Sequence, residues 1–254
     1  MSTTRRPLIA GNWKMNGLNK DAKQLASQLA KRMSKLNKPG FDMVVCPPSP
    51  QLSLVSDILK GSGVKLGSQD NHFAPSGAHT GDTSPLMLKN VGCSYAIVGH
   101  SERRTDHGET DALVKAKAEA AIEAGMIAIV CIGETLKQRK AGRTISTNRK
   151  QLNGSLPERA TAKNTVIAYE PVWAIGTGEV ATPAQAQEVH AAIRAELVKA
   201  IGAKEASKMR ILYGGSMKPT NAKELIGLPD VDGGLVGGAA LNAADFWAIA
   251  DASG

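Results

Sequence analysis

Short runs rich in Val, Ile, Leu and Ala alternate along the chain with longer amphipathic stretches rich in Ala and Lys. The short runs are apolar at consecutive positions, as expected of strands covered on both faces. The long ones repeat their apolar residues at helical spacing. This pattern predicts strands over 7–12, 41–46, 64–68, 94–99, 126–132, 165–169, 210–213 and 234–236. A helix candidate follows each strand, and the clearest cover 20–36, 109–123 and 183–201. The last of these opens on Thr182-Pro183, a capping residue followed by a first-turn proline.

Regular alternation of this kind predicts an α/β fold with a parallel sheet. Eight βα units with no Pro/Gly/Ser-rich linker between them predict a single (β/α)8 barrel domain over residues 1–254. An open doubly wound sheet is the structural alternative, and it should carry a glycine fingerprint right after its first strand. That position reads Gly11-Asn12-Trp13-Lys14, which is not one. Residues Gly176-Thr177-Gly178-Glu179-Val180-Ala181 match G-x-G-x-x-A formally, yet they start several residues beyond a strand and end before a helix cap. The chain has no P-loop, G-x-S-x-G or H-E-x-x-H sequence.

In a barrel the chemistry lies at the C-terminal ends of the strands. Asn12 and Lys14 follow the first predicted strand, His100 and Glu102 the fourth, and Glu170 the sixth. Gly214-Gly215-Ser216 follow the seventh and Gly237-Gly238 the eighth, where paired glycine-rich turns present backbone N–H groups suited to a phosphate. Glu170 stands beside Pro171-Val172-Trp173; covered by that apolar segment it would lose water and gain basicity, whereas in the open it is an ordinary ion-paired carboxylate. His100 precedes a possible helical turn, whose N-terminus would keep the imidazole neutral and able to donate to a developing oxyanion. A cation at Lys14 completes a set suited to proton transfer beside the carbonyl of a phosphorylated small molecule.

Composition narrows the partners. A core-forming 42% of hydrophobic residues against 21% charged ones excludes a disordered chain. Cys46, Cys93 and Cys131 form no Cys-x-x-Cys pair, so neither a disulfide framework nor a zinc site is expected. No apolar run reaches the roughly 18 to 20 residues of a membrane span, and the stretch after Arg6 is too short for a signal peptide, so a cytoplasmic protein away from the membrane is expected. The formal charge of +8 raises nucleic acid as a partner. Three Trp, three Tyr and three Phe do not interleave with the basic residues, and the cluster Lys137, Arg139, Lys140, Arg143, Arg149, Lys150 reads as a solvated surface, so no nucleic-acid partner is expected. The same field favours a small phosphorylated ligand.

Several stretches together resemble the triosephosphate isomerase family: Ala10-Gly11-Asn12-Trp13-Lys14-Met15-Asn16, Val98-Gly99-His100-Ser101-Glu102-Arg103-Arg104, Cys131-Ile132-Gly133-Glu134, the run from Ala168 through Glu170 to Gly178, Tyr213-Gly214-Gly215-Ser216, and Leu235-Val236-Gly237-Gly238-Ala239. The resemblance runs essentially end to end. It implies interconversion of dihydroxyacetone phosphate and glyceraldehyde 3-phosphate through an enediolate, on a TIM barrel, with no metal or organic cofactor. By the same resemblance Glu170 is the base and His100 the electrophile, the role for which this enzyme is a worked case of a neutral imidazole. Lys14 and Asn12 hold the substrate and Glu102 supports them. Gly176, Ser216, Gly237 and Gly238 bind the phosphate, and residues 171–178 form a mobile lid, a motion for which this enzyme is again a known example.

The polar segment from Gln69 to Ser84 is long for a βα connection. By resemblance it reaches into a second subunit of a homodimer and brings Thr80 near the neighbour's Asn12 and Lys14. Departures cluster there: Asp82 stands where Glu is usual, His79 where an aromatic is common, and His107 in place of Phe or Tyr. Gly234, Ala240 and Glu179 also depart from the family pattern beside the site, without removing a named group. Two other readings stay open at this level. One is an isomerase of a four-carbon keto phosphate; the other is a non-catalytic phosphate-binding barrel, which would be expected to have lost Glu170, His100 or Lys14.

Overall fold

A computed structural model describes residues 5–175 and 179–253. Its strands are β1 (Leu8–Asn12), β2 (Asp42–Cys46), β3 (Lys65–Ser68), β4 (Tyr95–Val98), β5 (Ile127–Ile132), β6 (Thr165–Tyr169), β7 (Ile211–Tyr213) and β8 (Gly233–Val236). All eight predicted strands are present, within one or two residues of the expected bounds. They pair in parallel in chain order, and β8 returns to β1 with Leu8 opposite Gly233, closing a TIM barrel. The open-sheet alternative is thereby excluded.

Side-chain alternation divides the core in two. Leu8, Ala10, Val44, Cys46, Ile97, Ile129, Cys131, Val166, Ala168, Leu212 and Leu235 pack together as one buried cluster inside the barrel. Their strand neighbours, such as Ile9, Val45, Val98, Val130 and Ile167, belong to a second cluster shared with the surrounding helices. Both faces of each strand are therefore covered, which is why the strands read as unbroken apolar runs.

Helix ends follow local chemistry. Pro183–Ile201 begins where predicted, because Thr182 accepts a hydrogen bond from the Gln185 N–H at 3.2 Å while the Gln185 side chain accepts one from the Thr182 N–H at 3.0 Å. The helix predicted from residue 109 starts at Asp111 instead, since Thr110 caps the Leu113 N–H and Glu109 turns inward to Arg103 and Lys117. The helix predicted to residue 36 stops at Met33, its last buried position. Among the described residues no helix is long and apolar enough to cross a membrane.

Crowding at the rim fixes two backbone positions. Gly99 sits just past β4 with φ +65°, a left-handed turn that redirects the chain into the helix Ser101–Asp106. Gly133 follows β5, and a Cβ built there would stand 1.7 Å from the Glu170 carbonyl oxygen. Gly133→Ala must therefore push the β5 and β6 ends apart. The expected cost is about 1–3 kcal/mol of stability, read by denaturant unfolding, and an unchanged stability would contradict this packing.

His190, fully buried on the Pro183–Ile201 helix, has its ring pKa pushed down to about 4 by burial, against the partial support of the Asp230 carbonyl oxygen bonded to Nδ1. The unfolded chain takes up that proton near pH 6.5, so stability is complete above that value and is lost as the pH falls toward 4. His190→Asn should remove about 3 kcal/mol of this pH dependence between those limits. Parallel unfolding curves of the two proteins measure the difference.

Candidate active site

On the inward face of the rim lie Asn12, the last residue of β1, and, one step beyond their strands, Glu170 after β6, Gly214 after β7 and Gly237 after β8. The alternation that fills the barrel with apolar side chains thus brings polar groups to its open rim. They line a cleft of about 900 Å³ together with Lys14, His100, Ser216 and Gly238. Of the residues expected at the site, Gly176 lies outside the described residues, and Glu102 lines an adjoining cavity of about 600 Å³ that shares Asn12, Lys14 and His100 with the cleft.

Glu170 is 1% exposed. One carboxylate oxygen accepts the Ser101 N–H at 2.9 Å and the other lies 2.8 Å from His100 Nε2, with the Ser101 hydroxyl at 3.4 Å. Burial alone would raise its pKa; the adjacent imidazole and the Ser101 N–H outweigh burial and hold it below the usual value. The expected gain in basicity from water exclusion is therefore reversed while the carboxylate rests on His100. It is buried and paired at once.

His100 caps the helix Ser101–Asp106, and its Nδ1 accepts the Glu102 N–H at 3.3 Å. With Nδ1 an acceptor, Nε2 carries the proton and faces the cleft. Burial and this N–H favour the neutral ring, as expected. The Glu170 carboxylate, aided by Glu102, opposes them and raises the ring pKa above its ordinary value in this arrangement. The expected neutrality thus depends on where Glu170 points.

Lys14 has φ +51°, the sole positive value for a non-glycine among the described residues. Such a backbone costs on the order of 1–3 kcal/mol and persists only when its surroundings hold it. Here Asn12 Oδ1 accepts the Lys14 N–H at 3.0 Å, and Gln69 Nε2 donates to the carbonyls of Lys14 at 2.8 Å and Cys46 at 2.9 Å. The ammonium pairs with Glu102, which also lies 3.5 Å from His100 Nδ1. Ser101 and Gln69 therefore do work that the sequence reading missed. Their only signal there was a polar side chain at the end of an apolar strand.

The start of the expected lid is anchored outside the cleft. Residues Val172–Ala174 form a single turn, and Trp173 Nε1 donates to the buried Glu134 at 2.9 Å. The Tyr169 hydroxyl donates to the same carboxylate oxygen at 3.1 Å, and the Arg139 guanidinium lies over the Trp173 ring, 4.6 Å from its centre. Positions 176, 177 and 178 of the lid lie outside the described residues. Beside the second cavity, Arg103 and Lys117 both bind Asp70 and Glu109, so Arg103 is already paired within its own chain.

A family profile described as triosephosphate isomerase matches residues 7–253. The triosephosphate isomerase of Brucella abortus is 54% identical over 246 residues, covering 97% of this chain and 96% of its own length. That of Magnetococcus marinus is 55% identical over 251 residues, covering 97% and 98%. The crystal structure of triosephosphate isomerase from Bartonella henselae superposes with a TM-score of 0.89 at 46% identity, covering 97% of this chain and 98% of the other. With the closed barrel and the Lys14, His100 and Glu170 cleft, these matches establish that the chain belongs to the triosephosphate isomerase family.

Proposed function

We propose that this cleft interconverts dihydroxyacetone phosphate and D-glyceraldehyde 3-phosphate, the aldose–ketose isomerisation of glycolysis and gluconeogenesis, with Glu170 as the base. The observation that carries the assignment of roles is the contact of Glu170 with His100 Nε2 at 2.8 Å on the buried floor of a cleft with a cation on one wall. We read the chain as a single domain that works in the cytoplasm.

The substrate phosphate rests on the turns at Ser216, Gly237 and Gly238, with Gly176 contributing from the lid. Lys14 and Asn12 bind the oxygens nearer the reacting carbons. His100 has one Nε2–H to offer, so it cannot serve the Glu170 carboxylate and a substrate oxygen equally. The carboxylate therefore leaves His100 and Ser101 and turns to the carbon-bound hydrogen, while Nε2–H passes to the carbonyl oxygen. Glu170 removes the proton, the C–H electron pair becomes the C=C bond of the enediolate, and the former carbonyl oxygen takes up negative charge. His100 and Lys14 stabilise that charge in a dry site. Proton exchange between the two oxygens and return of the proton from Glu170 to the neighbouring carbon complete the reaction. Separation from Glu170 also removes the larger of the two carboxylate influences that favour imidazolium, so burial, the Glu102 N–H and the Lys14 charge work against the Glu102 carboxylate alone.

The active unit is a homodimer in which the loop bearing Thr80 enters the neighbouring chain's cavity beside Asn12 and Lys14. Residues 75–82 are exposed throughout, and the 600 Å³ cavity lies next to the cleft. Met15, Phe73, Leu86 and Met87 are 95%, 47%, 54% and 57% exposed, an apolar surface that a second chain would cover.

Glu170→Asp withdraws the carboxylate by about one methylene, a displacement on the order of 1 Å, which should lower kcat by about 100-fold or more. KM should change little, since the contact forms mainly in the transition state. Steady-state kinetics on glyceraldehyde 3-phosphate decide, and an unchanged kcat removes Glu170 from its role. Sedimentation should give twice the 26.6 kDa chain mass, with specific activity falling on dilution as chains separate. A fully active species of single-chain mass would contradict the shared site.

A further inference from the structure

We propose that Asn221 is a positioning residue that holds the Ser216 N–H ready for the substrate phosphate. The inference rests on the reading of the cleft given above. The turn 214–218 joins β7 to the helix Pro219–Ile226, and Asn221 stands in the first turn of that helix. Its amide reaches back to two points of the turn: Nδ2 donates to the Ser216 carbonyl at 3.1 Å, and Oδ1 accepts the Lys218 N–H at 2.8 Å. The second bond is half of a capping box and serves the helix. The first serves no helix, because Ser216 lies two residues before the capping residue Lys218.

Ser216 is thereby taken by its carbonyl and left open at its N–H, which has no acceptor among the described residues. A backbone donor fixed in place without a partner is what a bound anion meets in a preorganised site. Two further contacts seat the same turn. At its entry the Gly214 N–H donates to the Tyr169 carbonyl at 2.7 Å, tying it to the end of β6 beside Glu170. In its middle the Met217 side chain, 3% exposed, packs against β8 at Gly234, where an added Cβ would stand 2.7 Å from the Met217 Sδ. Gly234 departs from the family pattern, and the space it leaves is filled by Met217. This brings the Ser216 turn against the strand that ends in the other phosphate turn, Gly237-Gly238. None of these residues belongs to the segment 69–84 that is proposed to enter the neighbouring chain.

With its carbonyl released, the Ser216 backbone turns more freely and its N–H meets the phosphate in a smaller share of conformations. The loss falls on the phosphate alone. Glu170, His100 and Lys14 stand on other strand ends and keep their geometry, so a triose without a phosphate is handled as before.

Asn221→Ala and Asn221→Asp are compared with the wild type by titrating inorganic phosphate and following the Ser216 amide by NMR, with unfolding curves to establish that each variant folds. Asp keeps the acceptor for the Lys218 N–H, and so the cap, while losing the donor to Ser216. Phosphate affinity is expected to fall about fivefold or more in each. In Asn221→Ala, kcat/KM for glyceraldehyde 3-phosphate should fall by about the same factor while that for glyceraldehyde stays within about twofold. Wild-type phosphate affinity in either folded variant, or equal losses on the two substrates, overturns the positioning role. Failure of the wild type itself to take up phosphate at Ser216 overturns the reading of the cleft and this inference with it, so the two failures are told apart.

Discussion

A carboxylate sealed inside a protein is costly unless donors surround it, and this rim is organised around one such group. Glu170 reaches the interior because β6 continues its alternation one residue past Ala168. Its donors come from the next-but-one strand, where Gly99 turns the chain so that His100 and the Ser101 N–H face inward. Its backbone is fitted against Gly133, leaving no room for a side chain between β5 and β6. Three strand ends thus depend on one another for the placement of a single group.

Legibility in the sequence followed the physics of each signal. Strands were plain because closure of the barrel buries both faces, and the helix Pro183–Ile201 because its capping box is written in four consecutive residues. Helix ends that depended on distant partners were not. Glu109 reads as a helical residue until Lys117 and Arg103 draw it inward. Among site residues, those set by strand phase were found, whereas Ser101 acts through a backbone N–H and Gln69 through an amide reaching across strands. Neither role leaves a residue-type signature. The protonation of His100 was hardest to read, because the helix end was visible in the sequence and the contact with Glu170 was not.

The two cavities at the rim differ in their walls. One is walled by turns and suits a small anion; the other is lined by the partly buried Arg103 and Asp70, which are tied to the buried Glu109 and Lys117, and faces the long loop. Asn12 and Lys14 line both. A group entering the second cavity would therefore meet residues that also wall the first. Arg103, satisfied within its own chain, gives the wall of the second cavity a fixed shape.

Position 14 joins two demands that different amino acids meet. A backbone at φ +51° is easiest for glycine and next for asparagine, while the proposed chemistry calls for a long cationic side chain. Glycine would relax the chain and delete the charge; arginine would keep the charge but bring a broad fork where a compact ammonium sits beside Glu102. Viewed as a path through sequence space, the position is a narrow pass. The nearest changes that ease the fold would sacrifice the proposed chemistry, and Asn12 and Gln69 are the neighbours that keep the pass open.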